Sequence, residues 1–260
     1  MPDHILPRAD CYIAAMPRSG STMLANLLTL PPRRLALVEP WLPHGCRSPS
    51  LLEHLRGFGF DIPDSEWTDA GGPAGREENG PRVARLLANR LAGLERWGVK
   101  EVRPALHQPS LALLRPRRVV ILVRDMFSAA QSLWDKARRI PRPGQDEQSL
   151  ATFILDAATC LQELARDLPT DQARVVRYED ITTDEACRED LGRWLDWPLA
   201  GNPSRDLELY GREWEIQRHG DAISPAHCGQ RIDLPSQALD FAAAVLERAR
   251  GYQTAFGYAS

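Results

Sequence analysis

No stretch constrains this chain more than the run from Tyr12 to Leu28, YIAAMPRSGSTMLANLL. Tyr12-Ile13-Ala14-Ala15-Met16 is a short apolar run that reads as a central strand of a parallel sheet, and Pro17 ends it. The Ser19-Gly20-Ser21-Thr22 turn can present successive backbone N–H groups at the start of the following helix. There the positive end of the helix dipole favours an anion. Arg18 adds a planar cation suited to phosphate or sulfate oxygens. An ordinary strand–helix turn also uses Ser, Thr and Gly as caps, so the rest of the chain has to decide between the two.

The same strand–helix unit recurs. Leu35 to Val38 is a second apolar run, ending at Glu39-Pro40. Pro81 to Trp97 carries the spacing of an amphipathic helix, with Pro81 in its first turn and Gly98 as its stop. Val99 to Val102 reads as a strand closed by Pro104. Arg118 to Val123 (RVVILV) is the clearest buried strand, followed by Arg124-Asp125 and a helix from about Phe127 to Arg139. A helix over about Ser149–Leu168, a strand over Arg174–Tyr178, and helices over Asp184–Asp196 and Ala238–Tyr252 complete the pattern. Alternating strands and helices predict an α/β fold: one domain over residues 1–260, a central parallel sheet flanked by helices. Residues 41–80, 140–150 and 200–230 are expected to be insertions that shape an acceptor pocket.

Composition removes whole classes of function. The net charge of −3 argues against a nucleic-acid binder. No apolar run is long enough to span a bilayer, and MPDHILPRAD lacks a secretion pattern. The cysteines Cys11, Cys46, Cys160, Cys187 and Cys228 are scattered, which suits a reducing compartment and offers no metal site. A cytoplasmic protein with no membrane partner is expected. Lys100 and Lys136 are the only lysines among 32 basic residues, a bias that suggests a GC-rich bacterial source.

Arg18 with its turn, Glu39 and Arg124 all fall at C-terminal ends of expected strands, and Lys100 lies on or just beyond one. Ends of parallel strands converge on one crevice. The turn lacks the G-x-x-x-x-G-K-[ST] spacing of nucleoside triphosphatases, and no acidic strand end is a clear Mg²⁺ ligand, with Asp125 left open. An anion cradle with added cations and no evident metal fits a sulfuryl donor.

These residues resemble a family. Pro17-Arg18-Ser19-Gly20-Ser21-Thr22 is similar to the 5′-phosphosulfate loop of sulfotransferases that use 3′-phosphoadenosine 5′-phosphosulfate (PAPS), in the Arg form found in tyrosylprotein and many bacterial sulfotransferases. Arg124 with Ser132 eight residues on matches the 3′-phosphate site. Tyr178-Glu179-Asp180 and the closing Phe256-Gly257-Tyr258 also resemble family segments. The resemblance implies a P-loop-like sulfotransferase fold, PAPS as donor, adenosine 3′,5′-bisphosphate as product and no metal. It implies that Arg18, Ser19, Gly20, Ser21 and Thr22 hold the 5′-phosphosulfate. Arg124 and Ser132 would hold the 3′-phosphate, with Tyr178 lining the nucleotide site and Arg231 adding a late-loop contact. Glu39, at the position of a catalytic glutamate in tyrosylprotein sulfotransferases, would be the base. A structural carboxylate paired with an arginine is the competing role. Lys100 would stabilise the bridging oxygen. Cytosolic sulfotransferases place a histidine after a Lys-Thr segment; here the segment is Lys100-Glu101-Val102-Arg103, with no histidine until His107. His44, His54, His107, His219 and His227 are expected in loops or on the surface, and Lys136 on an exposed helix face. The expected acceptor is a small hydroxylated molecule of secondary metabolism, with monomer and homodimer both open. A small-molecule kinase and an inactive nucleotide-binding protein are the competing functions.

Overall fold

A computed structural model describes residues 6–44, 51–70, 76–203, 223 and 235–258. Its framework is five parallel strands, β1 (Cys11–Ala15), β2 (Arg34–Val38), β3 (Arg96–Glu101), β4 (Arg118–Val123) and β5 (Ala173–Arg177), in the order β2-β3-β1-β4-β5. The first strand is thus central. Ile13 lies opposite Lys100 on one side and Val120 on the other. The chain leaves β1 towards β2, and β4 and β5 extend the other edge. The C-terminal ends of β1 and β4 therefore border the crevice where connections diverge, the usual ligand position in open α/β sheets.

Around the sheet lie α1 (Ser21–Leu28), α2 (Leu51–Phe58), α3 (Asp64–Ala70), α4 (Arg76–Ala92), α5 (Pro104–Leu114), α6 (Met126–Arg139), α7 (Glu147–Asp167), α8 (Tyr178–Thr183), α9 (Glu185–Leu195), α10 (Ser236–Arg248) and α11 (Arg250–Ala255). Side chains alternate across the strands. Tyr12, Ala14, Leu35, Leu37, Val99, Val119, Ile121 and Val123 join the larger core with helices that include α2, α4, α6, α7 and α10. Cys11, Ile13, Ala15, Ala36, Val120 and Leu122 face a second core closed by α1, α9 and Trp197, whose Nε1 donates to the Leu28 carbonyl at 2.7 Å. With both sheet faces covered, the strands read as continuous apolar runs.

Three local expectations change. The fourth helix begins at Arg76, so Pro81 lies past its first turn, and it stops at Ala92, well before Gly98. Gly98 sits inside β3 because a Cβ there would lie 2.5 Å from the Cys11 carbonyl oxygen. It is a glycine of close strand approach and not a helix stop. The fifth helix is an addition to the expected elements: Pro104 ends the strand and is also the first helical residue. The last expected helix is two, meeting at Ala249.

Gly98→Ala is expected to force β1 and β3 apart and lower stability by about 1–3 kcal/mol, the scale of overpacking a close contact. Gly93→Ala, whose added methyl would meet nothing nearer than 3.6 Å, should change little. Equal urea midpoints for the two variants would show that the β1–β3 approach is not tight.

Candidate active site

The turn after β1 is built from unusual backbone. Arg18 (φ 65°) and Gly20 (φ 71°) are both left-handed, and Gly20 caps α1. Glycine is required at position 20 because a Cβ would lie 2.4 Å from the Tyr178 ring. Glu39 (φ 47°) and Trp41 (φ 53°) repeat the left-handed conformation just past β2. Such values are uncommon for residues other than glycine and cluster where side chains are aimed at a site. Ser19 is fully buried, and its Oγ has no hydrogen-bond partner among the described residues. An orphaned hydroxyl in a turn that opens a helix fits an anion's oxygens.

The structure brings the expected donor residues together. The Arg18 Nε donates to Ser132 Oγ at 3.1 Å, and the Arg124 Nη1 donates to the Arg18 carbonyl at 2.7 Å. The Arg124 guanidinium lies 4.5 Å from the centre of the Tyr178 ring, the ring that also packs on Gly20. Tyr178-Glu179-Asp180 forms the first turn of α8 directly after β5. Arg231 lies outside the described residues, as do His219, His227, Cys46 and Cys228.

Glu39 and Lys100 form an ion pair, with the Lys100 Nζ donating to Glu39 Oε1 at 2.5 Å. The lysine side chain is 2% exposed and the carboxylate side chain 32% exposed. Lys100 therefore reaches its partner from inside the fold, while the carboxylate keeps a face open to the crevice. Burial alone would raise the Glu39 carboxyl. The charge and hydrogen bond of Lys100, together with the charges of Lys136 and Arg103, outweigh this and hold it below its ordinary value. Lys136 thus corrects its expected placement: it is half-buried on α6 and acts on Glu39.

Next to Lys100 in sequence begins a set of buried polar groups that sequence reasoning misses. Glu101 is buried, with Oε1 accepting from the Val102 and Arg103 backbone N–H groups at 3.0 and 3.4 Å. Burial, with the Glu39 charge nearby, pushes its carboxyl up to about 7. His107 is fully buried in α5 and His54 is buried in α2, neither in a loop nor at the surface. The His107 Nδ1 and the Tyr12 hydroxyl share a hydrogen bond of 2.8 Å, and burial lowers the imidazole to about 4.

The C-terminal segment supports the β4 corner. The Tyr252 hydroxyl accepts from the Arg124 N–H at 3.2 Å and donates to the Arg124 carbonyl at 3.0 Å. The Gln253 amide bridges the Met126 N–H and the Asp125 carboxylate. Tyr258 donates to Glu179, which accepts the Asp125 N–H through its other oxygen. Asp125 also caps α6 by accepting the Ser128 N–H at 2.8 Å.

No protein-family model and no curated protein matches the sequence. Among solved structures, the chain is similar to a sulfotransferase domain from the curacin biosynthetic pathway, at TM-score 0.56 and 12% identity, covering 94% of this chain and 98% of that one. It is likewise similar to the sulfotransferase domain of the Synechococcus PCC 7002 olefin synthase, at TM-score 0.56 and 17% identity over 100% and 98% of the two chains. A third is a sulfotransferase from Alicyclobacillus acidocaldarius, at TM-score 0.56 and 12% identity over 98% of each. The fold is that of the sulfotransferases, a parallel five-stranded sheet flanked by helices.

Glu101 and His107 tilt stability with pH in opposite senses. Glu101, raised when folded, contributes stability below its ordinary 4.5 that is lost as pH rises towards 7. His107, lowered when folded, contributes stability above its ordinary 6.5 that is lost as pH falls towards 4. Glu101→Gln removes only the first effect. Its melting temperature relative to the parent should therefore be higher at pH 8 than at pH 5, and the same difference at both values would contradict the burial of an ionising Glu101.

Proposed function

We propose that this chain is a single-domain sulfotransferase that moves a sulfuryl group from PAPS to the hydroxyl of a small acceptor, with no metal. The observation that carries the proposal is a pair of hydrogen bonds with an ion pair at the neighbouring strand ends. The Arg18–Ser132 and Arg124–Arg18 hydrogen bonds join the two turns that would hold the two phosphate groups, and the Glu39–Lys100 pair stands at the neighbouring strand ends. Arg18 and the N–H and hydroxyl groups of Ser19 to Thr22 would hold the 5′-phosphosulfate; Arg124 and Ser132 would hold the 3′-phosphate. Tyr178 would line the nucleotide site, and Arg231 would add a contact to the 3′-phosphate.

The acceptor oxygen attacks sulfur in line with the bond to the bridging oxygen. As that bond breaks, the electron pair leaves with adenosine 3′,5′-bisphosphate, stabilised by Arg18 and Lys100. The hydroxyl proton passes to Glu39. Lys100 keeps Glu39 ionised and ready to accept it, and the hydroxyl becomes acidic as its bond to sulfur forms. Asp125 spends its carboxylate on capping α6 and on Gln253, which favours this chemistry over a Mg²⁺-dependent kinase. Two of the similar folds belong to a biosynthetic pathway and an olefin synthase, which supports a metabolite acceptor, a bacterial source and a cytoplasmic setting.

Titration calorimetry and single-turnover kinetics on two variants test the proposal. Adenosine 3′,5′-bisphosphate should bind the parent far more tightly than MgATP. Arg124→Ala should weaken the bisphosphate by about 1.5–3 kcal/mol, the worth of a charge-assisted contact, and adenosine 5′-phosphate by clearly less, since that ligand loses only the brace on the Arg18 turn. Glu39→Gln should bind the bisphosphate as the parent does yet transfer sulfuryl about 10²–10⁴-fold more slowly. A preference for MgATP would favour the kinase. An unchanged rate in the Glu39→Gln variant, with a lowered melting temperature, would leave Glu39 as a structural ion pair.

A further inference from the structure

The buried Tyr252 hydroxyl spends its donor and an acceptor on one residue of the crevice. It accepts from the Arg124 N–H at 3.2 Å and donates to the Arg124 carbonyl at 3.0 Å. Those two groups belong to the two peptide planes that meet at the Arg124 Cα. One hydroxyl therefore pins both soft dihedrals of that residue, and with them the direction in which its side chain leaves the backbone. Tyr252 is 1% exposed. Its ring meets Phe256 edge-on, with centres 4.8 Å apart, and stacks on Tyr258 at 6.4 Å. Burial raises the hydroxyl far above its ordinary value, so it keeps the proton that it donates.

The next two N–H groups are taken in the same way. Asp125 N–H donates to Glu179 Oε1 at 3.0 Å, and Met126 N–H donates to Gln253 Oε1 at 3.2 Å. Tyr258 holds the other Glu179 oxygen at 2.8 Å. A helix start ordinarily offers such groups to an anion. At the start of α6 protein side chains take them, the carboxylates of Asp125 and Glu179 included. In the proposed donor site the 3′-phosphate would meet this corner through the side chains of Arg124 and Ser132, and a guanidinium grips a phosphate well only when its planar fork is aimed at it. We infer that Tyr252 is a positioning residue: its hydroxyl, with Glu179 and Tyr258 seating the next N–H, aims Arg124 and sets how strongly the crevice prefers a nucleotide with a 3′-phosphate over one without it. The ligand in this inference rests on the sulfotransferase proposal; the geometry rests on the hydrogen bonds to the β4 corner.

A double-mutant cycle tests it. Adenosine 3′,5′-bisphosphate and adenosine 5′-phosphate are titrated by calorimetry into the full chain, Tyr252→Phe, Arg124→Ala and the double variant. Phenylalanine keeps the ring and loses only the hydroxyl. Tyr252→Phe should cut the preference for the bisphosphate by about three- to tenfold, the scale of one net hydrogen bond, with adenosine 5′-phosphate weakened clearly less. On the Arg124→Ala background the same change should leave the ratio of the two affinities as it was, since no guanidinium remains to be aimed. A ratio unchanged in Tyr252→Phe, with only a lowered melting temperature, would overturn the inference and leave Tyr252 a structural residue. Equal losses for the two ligands, or a loss of ratio that recurs on the Arg124→Ala background, would overturn it as well. If Tyr252→Phe does not fold, Tyr258→Phe decides: loosening Glu179 beside Arg124 should cut the ratio by about twofold, a weaker effect than a lost direct bond, and in that case no cut would overturn the inference. A parent that binds both nucleotides equally would overturn the sulfotransferase proposal and this inference with it. A parent that prefers the bisphosphate, with the preference whole in Tyr252→Phe, would overturn the inference alone.

Discussion

The hydrogen bond from the Arg124 guanidinium to the Arg18 carbonyl, 2.7 Å long, ties together the two turns on which the crevice depends. One turn follows β1 and the other follows β4, adjacent strands of the sheet. Arg18 holds a left-handed backbone, a conformation that persists in an L-residue only when its surroundings fix it. Arg124 does this at the Arg18 carbonyl, Ser132 holds the Arg18 side chain, and the Tyr178 ring closes over Gly20. The C-terminal residues Tyr252 and Gln253 in turn hold the β4 corner through its backbone. The turn after β1 is thus braced, through the β4 corner, by residues more than 120 positions further along the chain.

The buried ammonium of Lys100 is the second constraint. A charge taken out of water is costly unless it is paired, and Glu39 supplies the pair from the end of β2. Neither residue is close to the other in sequence. Parallel pairing of β2 with β3, with Val38 opposite Lys100, brings them together. The asymmetry in exposure matters more than the pairing itself. Lys100 is buried while Glu39 keeps a more exposed side, so the carboxylate meets the crevice with its counter-charge beside it.

Much of this is legible in the sequence because strand ends leave local marks. Apolar runs ended by Pro17, by Glu39-Pro40 and by Arg124-Asp125 locate three edges of the crevice, and Ser132 lies in the second turn of the helix that starts just after Arg124-Asp125. The reading fails where distant chain segments decide. Gly98 looks like a helix stop until the Cys11 carbonyl is placed against it. His107 looks like a surface histidine because its polar partner, Tyr12, lies 95 residues earlier in the chain. Lys136 sits in a charged sequence, Asp135-Lys136-Ala137-Arg138-Arg139, whose pattern does not say which member turns inward.

The central claim is that one crevice holds both phosphate groups of a bisphosphorylated nucleoside, and a crystal structure with adenosine 3′,5′-bisphosphate tests it most directly. The account places the 5′-phosphate on the backbone of Ser19 to Thr22, with Ser19 Oγ among its donors, and the 3′-phosphate on Arg124 and Ser132. A nucleotide bound with its 3′-phosphate away from Arg124, or outside the β1–β4 crevice altogether, would contradict it.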